Sequence, residues 1–216
     1  MQKKALILAS GEGMRMQSKI PKQFLLLNGL PILMHTIKAF SHFDEVYIVI
    51  KKNQKNYWEK LCHKYKFDEK HTVIYGGKTR FQSVKKGLKY IDAKSIVAIH
   101  DGVRPLISKK QINQLMLNVR KGVGVIPILH VKDSIKRIKA SKSVYINRDD
   151  LYKVQTPQCF LSSDIKNAYE ASEKLIFTDD ASVFEYCGGA ITTIIGEEKN
   201  IKITTNDDVL IASKLA

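Results

Sequence analysis

Short aliphatic runs separated by longer amphipathic stretches constrain this chain most. Ala5–Ala9, Val46–Ile50, Thr72–Tyr75, Ile96–Ile99 and Val123–Ile126 are nearly continuous in aliphatic and β-branched residues. An apolar run without alternation suits a strand buried on both faces. Between these runs, Pro31–Phe40, Asn53–Lys66, Thr79–Tyr90 and Ser108–Val119 read as helices. Alternating strands and helices predict an α/β fold in which a mostly parallel sheet carries helices on both faces. Ser108 can cap the helix after Leu106-Ile107, and Pro31 suits a first helical turn. Between residues 130 and 150 the rhythm changes to polar–apolar alternation without a helical face, which predicts a hairpin-like excursion from the sheet. Helical pattern resumes at Ser162–Lys174 and after Asp179. Then come a strand at Ala190–Ile195, the short run Ile201–Thr204 and a closing helix from Asn206. With 216 residues and no repeat or linker, residues 1–216 read as one domain with an arm at about 130–150.

Composition narrows the setting. Cys62, Cys159 and Cys187 are odd in number and far apart, which argues against a disulfide framework or zinc site and suits a reducing cytoplasm. Lys3 and Lys4 precede only the apolar run Ala5–Ala9, too short for a signal segment, and nothing approaches the roughly 18 apolar residues of a membrane span. The expectation is a soluble cytoplasmic protein with no membrane partner. Lys and Arg number 36 against 21 Asp and Glu, a formal net charge of +15. Such a balance suits nucleic acid, phosphorylated small molecules, or simply solvated lysine faces on helices.

The sharpest local feature is the loop after the first strand, Ala9-Ser10-Gly11-Glu12-Gly13-Met14-Arg15-Met16. Ligands of open parallel sheets bind beyond the carboxyl ends of strands, and glycines let a backbone approach a phosphate or a base. A dinucleotide fingerprint wants a third glycine where this chain has Met16, and a P-loop wants Gly-Lys-Ser/Thr, which is absent. A nucleotidyltransferase loop follows Gly-x-Gly with Arg and then Lys, which Arg15 and Pro21-Lys22-Gln23-Phe24 supply. Nucleotidyl transfer spreads negative charge over the α-phosphate and the departing pyrophosphate, and fixed cations stabilise that charge without a covalent step. Two further loops follow strands: Gly76-Gly77-Lys78-Thr79-Arg80-Phe81-Gln82-Ser83, and His100-Asp101-Gly102-Val103-Arg104-Pro105. The second puts a carboxylate and a guanidinium at one sheet edge, as ligand contacts or as a structural pair. His35, His42, His63, His71 and His130 lack metal-site spacing and read as structural or surface residues.

Taken in order, Gly-x-Gly-x-Arg-Met, Pro-Lys-Gln, Gly-Gly-x-x-Arg-x-x-Ser-Val, His-Asp-x-x-Arg-Pro, Gln155-Thr156-Pro157-Gln158, Thr178-Asp179-Asp180-Ala181-Ser182 and Asn200-Ile201-Lys202-Ile203-Thr204 cover nearly the whole chain. The set resembles the 2-C-methyl-D-erythritol 4-phosphate cytidylyltransferases. The resemblance implies a Rossmann-like sheet, CTP and a polyol phosphate as substrates, and magnesium bridging the CTP phosphates. It implies Arg15 and Lys22 at those phosphates, with Arg148 and Lys202 positioning the acceptor. Ala9, Ser10, Gly11, Glu12, Gly13, Gly77, Arg80 and Ser83 would hold the cytidine part, with Asp101 between nucleotide and polyol. Arg104, Ser134, Thr156 and Thr178 would serve the polyol side. Ser134 and Arg148 fall in the arm, which in such enzymes reaches across a homodimer, so each site would borrow from its neighbour. The cyclase domain fused to some relatives is not expected here. The chain departs from the pattern with Ser10 where Ala is usual, Lys78 at a variable position and Ser134 where Thr is common.

Three other readings stand beside this one. A ribitol 5-phosphate cytidylyltransferase would share the first loop, Pro-Lys-Gln and Gln-Thr-Pro-Gln; the Thr178–Ser182 motif followed by Glu185 favours methylerythritol phosphate. A nucleic-acid-binding module would explain the charge, but no signature of one accompanies it, and no nucleic-acid partner is expected. An NAD-dependent oxidoreductase lacks the third glycine, and its acidic candidates, Asp44 and Glu45, arrive late, at the start of the second strand.

Overall fold

The computed structural model describes residues 1–11, 20–171 and 177–216. In chain order its elements are β1 (Gln2–Leu8), the short pair β2 (Leu26–Leu27) and β3 (Leu30–Pro31), α1 (Ile32–Ala39), β4 (Glu45–Ile50), α2 (Lys55–Lys64), β5 (Thr72–Tyr75) and α3 (Arg80–Leu88). There follow β6 (Ser95–Asp101), α4 (Lys109–Leu117), β7 (Val123–His130), β8 (Ile135–Lys139), β9 (Lys142–Ile146), β10 (Tyr152–Val154) and β11 (Gln158–Leu161). α5 (Ser162–Ala171), α6 (Asp180–Tyr186), β12 (Ala190–Ile195) and α7 (Asn206–Leu215) complete the chain.

The main sheet runs β10-β7-β11-β6-β1-β4-β5, with β12 also on β7. The β6-β1-β4-β5 pairings and the β12-β7 pairing are parallel. The sheet is thus mostly parallel, as its apolar runs predict. Alternate residues of each inner strand enter opposite layers. Ala5, Ile7, Val46, Ile48, Ala98 and Cys159 pack with α1, α2 and α4 residues such as Leu33, Trp58 and Leu115. Leu6, Tyr47, Val49, Val97, Ile99 and Phe160 pack with α3, α5 and α6 residues such as Val84, Tyr169 and Phe184. Burial on both faces is the reason these strands read as continuous apolar runs.

β11 is antiparallel to both β6 and β7, an exception the sequence reading lacks. Its apolar stretch is only Cys159-Phe160-Leu161, too short to stand out against a neighbouring helix. Ile201–Thr204 forms no strand; Ile203 N–H donates to Val103 O, which lays this segment beside the loop after β6. Pro31 caps α1 and pairs with Leu26, so the helix begins one residue later than the first-turn reading has it. Ser108 does cap α4, accepting from Gln111 N–H. The 130–150 excursion is a hairpin, β8 on β9, turning at Ala140 and Ser141, both at positive φ as a tight right-twisting turn requires. Almost every residue of it is exposed.

Candidate active site

The loops leaving β1, β4, β5 and β6 gather at one edge of the sheet and enclose a cleft of about 370 Å³. Ala9, Ser10 and Gly11 form one wall, Gly77 to Arg80 with Ser83 another, and Lys22, Lys51, Asp101 and Lys202 line the remainder. Lys22 and Gln23 belong to a single 3₁₀ turn, Lys22–Phe24. The buried Gln23 donates to Ala9 O at 2.7 Å, and Phe24 stacks on Trp58. One glutamine thereby ties the Pro-Lys-Gln turn to the first loop, and this puts Lys22 on the cleft.

The second glycine turn is organised by Ser83. Its hydroxyl donates to Thr79 O at 2.9 Å and accepts Gly77 N–H at 3.0 Å. With that proton committed, the Ser10 hydroxyl 3.1 Å away is the donor between the two serines. Glycine is needed at position 76 because a Cβ there would lie 2.9 Å from Ser10 Cβ and from Ser83 Oγ. Thr79 caps α3 by accepting Gln82 N–H.

A second cleft of about 320 Å³ opens beside the first, lined by Arg104, Gln155, Thr156, Gln158, Thr178, Asp179 and Ser182 among others. The two clefts share Arg80, Asp101 and Lys202. Asp101, the last residue of β6, takes Lys202 Nζ at 3.0 Å and Arg104 Nε at 3.2 Å on the same oxygen, Oδ2. Burial alone would raise the Asp101 carboxyl, but Lys202, Arg104 and Arg80 overcome it and hold the group well below the ordinary carboxylate range. Arg104 also donates to Asn200 O at 2.8 Å. Arg80 is gripped from below by fully buried Asp180, through Nη1–Oδ1 at 2.8 Å and Nη2–Oδ2 at 2.5 Å. Tyr169 donates to the same carboxylate. Burial works against the Arg80 charge, and the Asp180 carboxylate more than restores it, raising the guanidinium pKa.

Ala9, Ser10, Gly11, Lys22, Gly77, Arg80, Ser83, Asp101 and Lys202 therefore meet at the first cleft, and Arg104, Thr156 and Thr178 at the second. Glu12, Gly13 and Arg15 lie outside the described residues. Ser134 and Arg148 stand exposed at the base of the hairpin, where Arg148 donates to Lys132 O, and they are not among the residues lining either cleft of their own chain. Sequence reasoning passed over Lys51, which only follows a strand, and Asp179, whose side chain caps α6. Among the described residues no group of three His, Cys, Asp or Glu side chains could hold a metal ion, and Asp101 is the single carboxylate lining the first cleft. No described helix is long and apolar enough to cross a membrane.

Comparison with known proteins gives a concordant result. Residues 4–215 match the model of the family described as 2-C-methyl-D-erythritol 4-phosphate cytidylyltransferase. A protein of that name from Azobacteroides pseudotrichonymphae is 47% identical over 220 residues, covering 99% of this chain and 98% of the relative. Another from Bacteroides fragilis is 43% identical over 214 residues, covering 98% of each. Among solved structures, the 4-diphosphocytidyl-2C-methyl-D-erythritol synthase of Anaerococcus prevotii superposes with a TM-score of 0.83 at 33% identity, over 99% of this chain and 95% of that one. The 2-C-methyl-D-erythritol 4-phosphate cytidylyltransferase of Francisella tularensis does so with a TM-score of 0.83 at 30% identity, over the full length of both.

Proposed function

The chain belongs to the 2-C-methyl-D-erythritol 4-phosphate cytidylyltransferase family, and on that premise we propose that it transfers CMP from CTP to 2-C-methyl-D-erythritol 4-phosphate. Pyrophosphate leaves, and the product is 4-diphosphocytidyl-2-C-methyl-D-erythritol. The observation that carries this reading is the pair of clefts that share Arg80, Asp101 and Lys202. Two substrates whose phosphates must meet need two adjoining compartments with cations at the junction.

CTP takes the first cleft, its cytidine against Ala9–Gly11, Gly77 and Ser83. The acceptor takes the second, its polyol toward Arg104, Thr156 and Thr178. An oxygen of the acceptor phosphate attacks the CTP α-phosphorus in line with the departing pyrophosphate. That phosphate is already ionised near neutrality, so no general base is required. Lys22 and Arg15 stabilise the charge developing on the triphosphate. Lys202 Nζ is paired with Asp101 but its side chain is 44% exposed, so it can turn from the carboxylate toward an incoming phosphate. Asp101 keeps Lys202 and Arg104 aimed at the junction until that phosphate arrives.

Magnesium fits this cleft in one way. With Asp101 as the single carboxylate among the described lining residues, the ion would be held mainly by CTP phosphate oxygens and water, with Asp101 in reach. When bound it would neutralise triphosphate charge. The exposed hairpin, with Ile138, Val144 and Tyr145 uncovered at 65%, 54% and 69%, supports a homodimer in which Ser134 and Arg148 complete the neighbour's acceptor side. A cytoplasmic location agrees with three cysteines that, among the described residues, form no disulfide.

Pyrophosphate release on mixing the protein with CTP, magnesium and 2-C-methyl-D-erythritol 4-phosphate tests the reading directly. Ribitol 5-phosphate in its place should be at least tenfold poorer. Lys22→Ala should lower kcat by about 10²-fold, the usual effect of removing a transition-state donor. Faster turnover of ribitol 5-phosphate, or undiminished turnover in the variant, would count against it.

A further inference from the structure

The imidazole of His100 is fully buried beneath the junction of the two clefts and lines neither of them. Two hydrogen bonds around it have forced directions. Its Nε2 lies 3.0 Å from Arg104 O, and a carbonyl can only accept, so Nε2 carries a proton. Its Nδ1 lies 3.0 Å from Thr156 Oγ1. Asp101 N–H, which can only donate, gives its proton to that same Thr156 oxygen at 3.1 Å. Burial keeps the ring neutral at ordinary pH by pushing its pKa down to about 4. A neutral ring with a proton on Nε2 has a bare Nδ1, so the Thr156 hydroxyl proton points at His100.

From this geometry we infer that His100 is a positioning and specificity-determining residue, which locks the Thr156 hydroxyl as a hydrogen-bond acceptor toward the second cleft. A hydroxyl has one proton and two lone pairs. Here the proton is spent on His100 and one lone pair on Asp101 N–H. What remains for a ligand is one lone pair, which pairs with a donor and repels a phosphate oxygen. The Thr156 hydroxyl therefore selects a hydroxyl of the polyol, and the acceptor phosphate is left to the cations Arg80 and Lys202, which both clefts share. This orientation presents the phosphate to the nucleotide. The inference rests on the second cleft being the acceptor site.

Two measurements test it. Long-range ¹H–¹⁵N NMR of the histidine rings, on the protein without substrates, should show His100 protonated on Nε2 and bare on Nδ1; a proton on Nδ1 overturns the inference whatever the activity. Steady-state kinetics should then be compared for wild type, Thr156→Ser and Thr156→Val, using the polyol phosphate and analogues that each lack one hydroxyl. Thr156→Ser keeps the acceptor and should keep KM for the polyol phosphate. Thr156→Val should raise that KM about tenfold, the worth of one hydrogen bond, with KM for CTP unmoved. One deoxy analogue should lose the same factor with wild type and nothing further with Thr156→Val. CMP transfer in which no hydroxyl is coupled to Thr156 overturns the inference and leaves the proposed function standing. Failure to transfer CMP to any polyol phosphate overturns both.

Discussion

Arg80 and Asp180 carry opposite charges into a place with little water, and that arrangement is costly to break. Desolvating two ions can cancel most of their attraction, so such a pair adds little net stability. Removing one partner is different, because the other charge is then left buried and alone. Asp180 is fully buried and holds Arg80 through both terminal guanidinium nitrogens, with Tyr169 on the same carboxylate. Asp180→Ala should therefore destabilise the fold by about 3–5 kcal/mol, read from the urea midpoint at unchanged m-value. A loss under 1 kcal/mol would mean that Arg80 turns outward to water. A much smaller effect is expected at Ser10, whose hydroxyl donates to Ser83: Ser10→Ala should cost about 1 kcal/mol or less and leave KM for CTP within a factor of about three. The difference reflects what a sequence can say about a residue. Lys22 and Asp101 are legible because each sits in a glycine-containing or charged motif after an apolar run, and Lys202 through the family resemblance. The Asp180 partnership is not, because its partner lies 100 residues away and only packing brings α3 and α6 together.

Among the elements, the strands with apolar residues on both faces are the most legible. β1, β4 and β6 sit in the middle of the sheet, covered on each side. β10 and β11 are not legible because Tyr152-Lys153-Val154 carries a lysine at its centre and Cys159-Phe160-Leu161 runs straight into a helical pattern, and antiparallel pairing leaves no mark on composition. Gly124 in β7 shows what pairing adds: an added Cβ would lie 2.3 Å from the Phe160 ring of the facing strand. Gly124→Ala should therefore cost about 1–3 kcal/mol through overpacking, measured by thermal or urea unfolding; a neutral result would require Phe160 to find another rotamer. The β8–β9 hairpin makes the opposite case. A two-stranded hairpin exposed on both faces is marginal by itself in water, and Ile138, Val144 and Tyr145 have no cover. Replacing residues 135–146 by a short Gly-Ser link should give a folded monomer by sedimentation and circular dichroism, with CMP transfer lowered at least tenfold. A dimer that persists would place the interface elsewhere.

For the whole molecule, charge and burial both make acid the hostile condition. The chain already carries a formal +15 near neutrality, and each proton added on acidification increases its self-repulsion. His100 adds a specific contribution. Its pKa in the folded protein is about 4 against an ordinary 6.5, so between those values the unfolded chain binds a proton that the native chain refuses. Stability is then full above pH 6.5 and falls as pH drops toward 4, by about 3 kcal/mol over the window. His71 and His42 are also lowered, by burial first, and act in the same direction. Asp101 is held below its ordinary range, so its contribution is complete above about pH 4 and is lost only under stronger acid. The net-charge effect and the buried-histidine effect can be separated by salt, since screening relieves repulsion between exposed charges but does not reach a ring sealed from solvent. Urea midpoints measured from pH 7 to pH 4 should fall at both low and high salt, and His100→Asn should flatten the part of the slope that salt leaves untouched. A slope that vanishes in salt for wild type would mean the imidazole is hydrated, and the direction fixed for the Thr156 hydroxyl would lose its support.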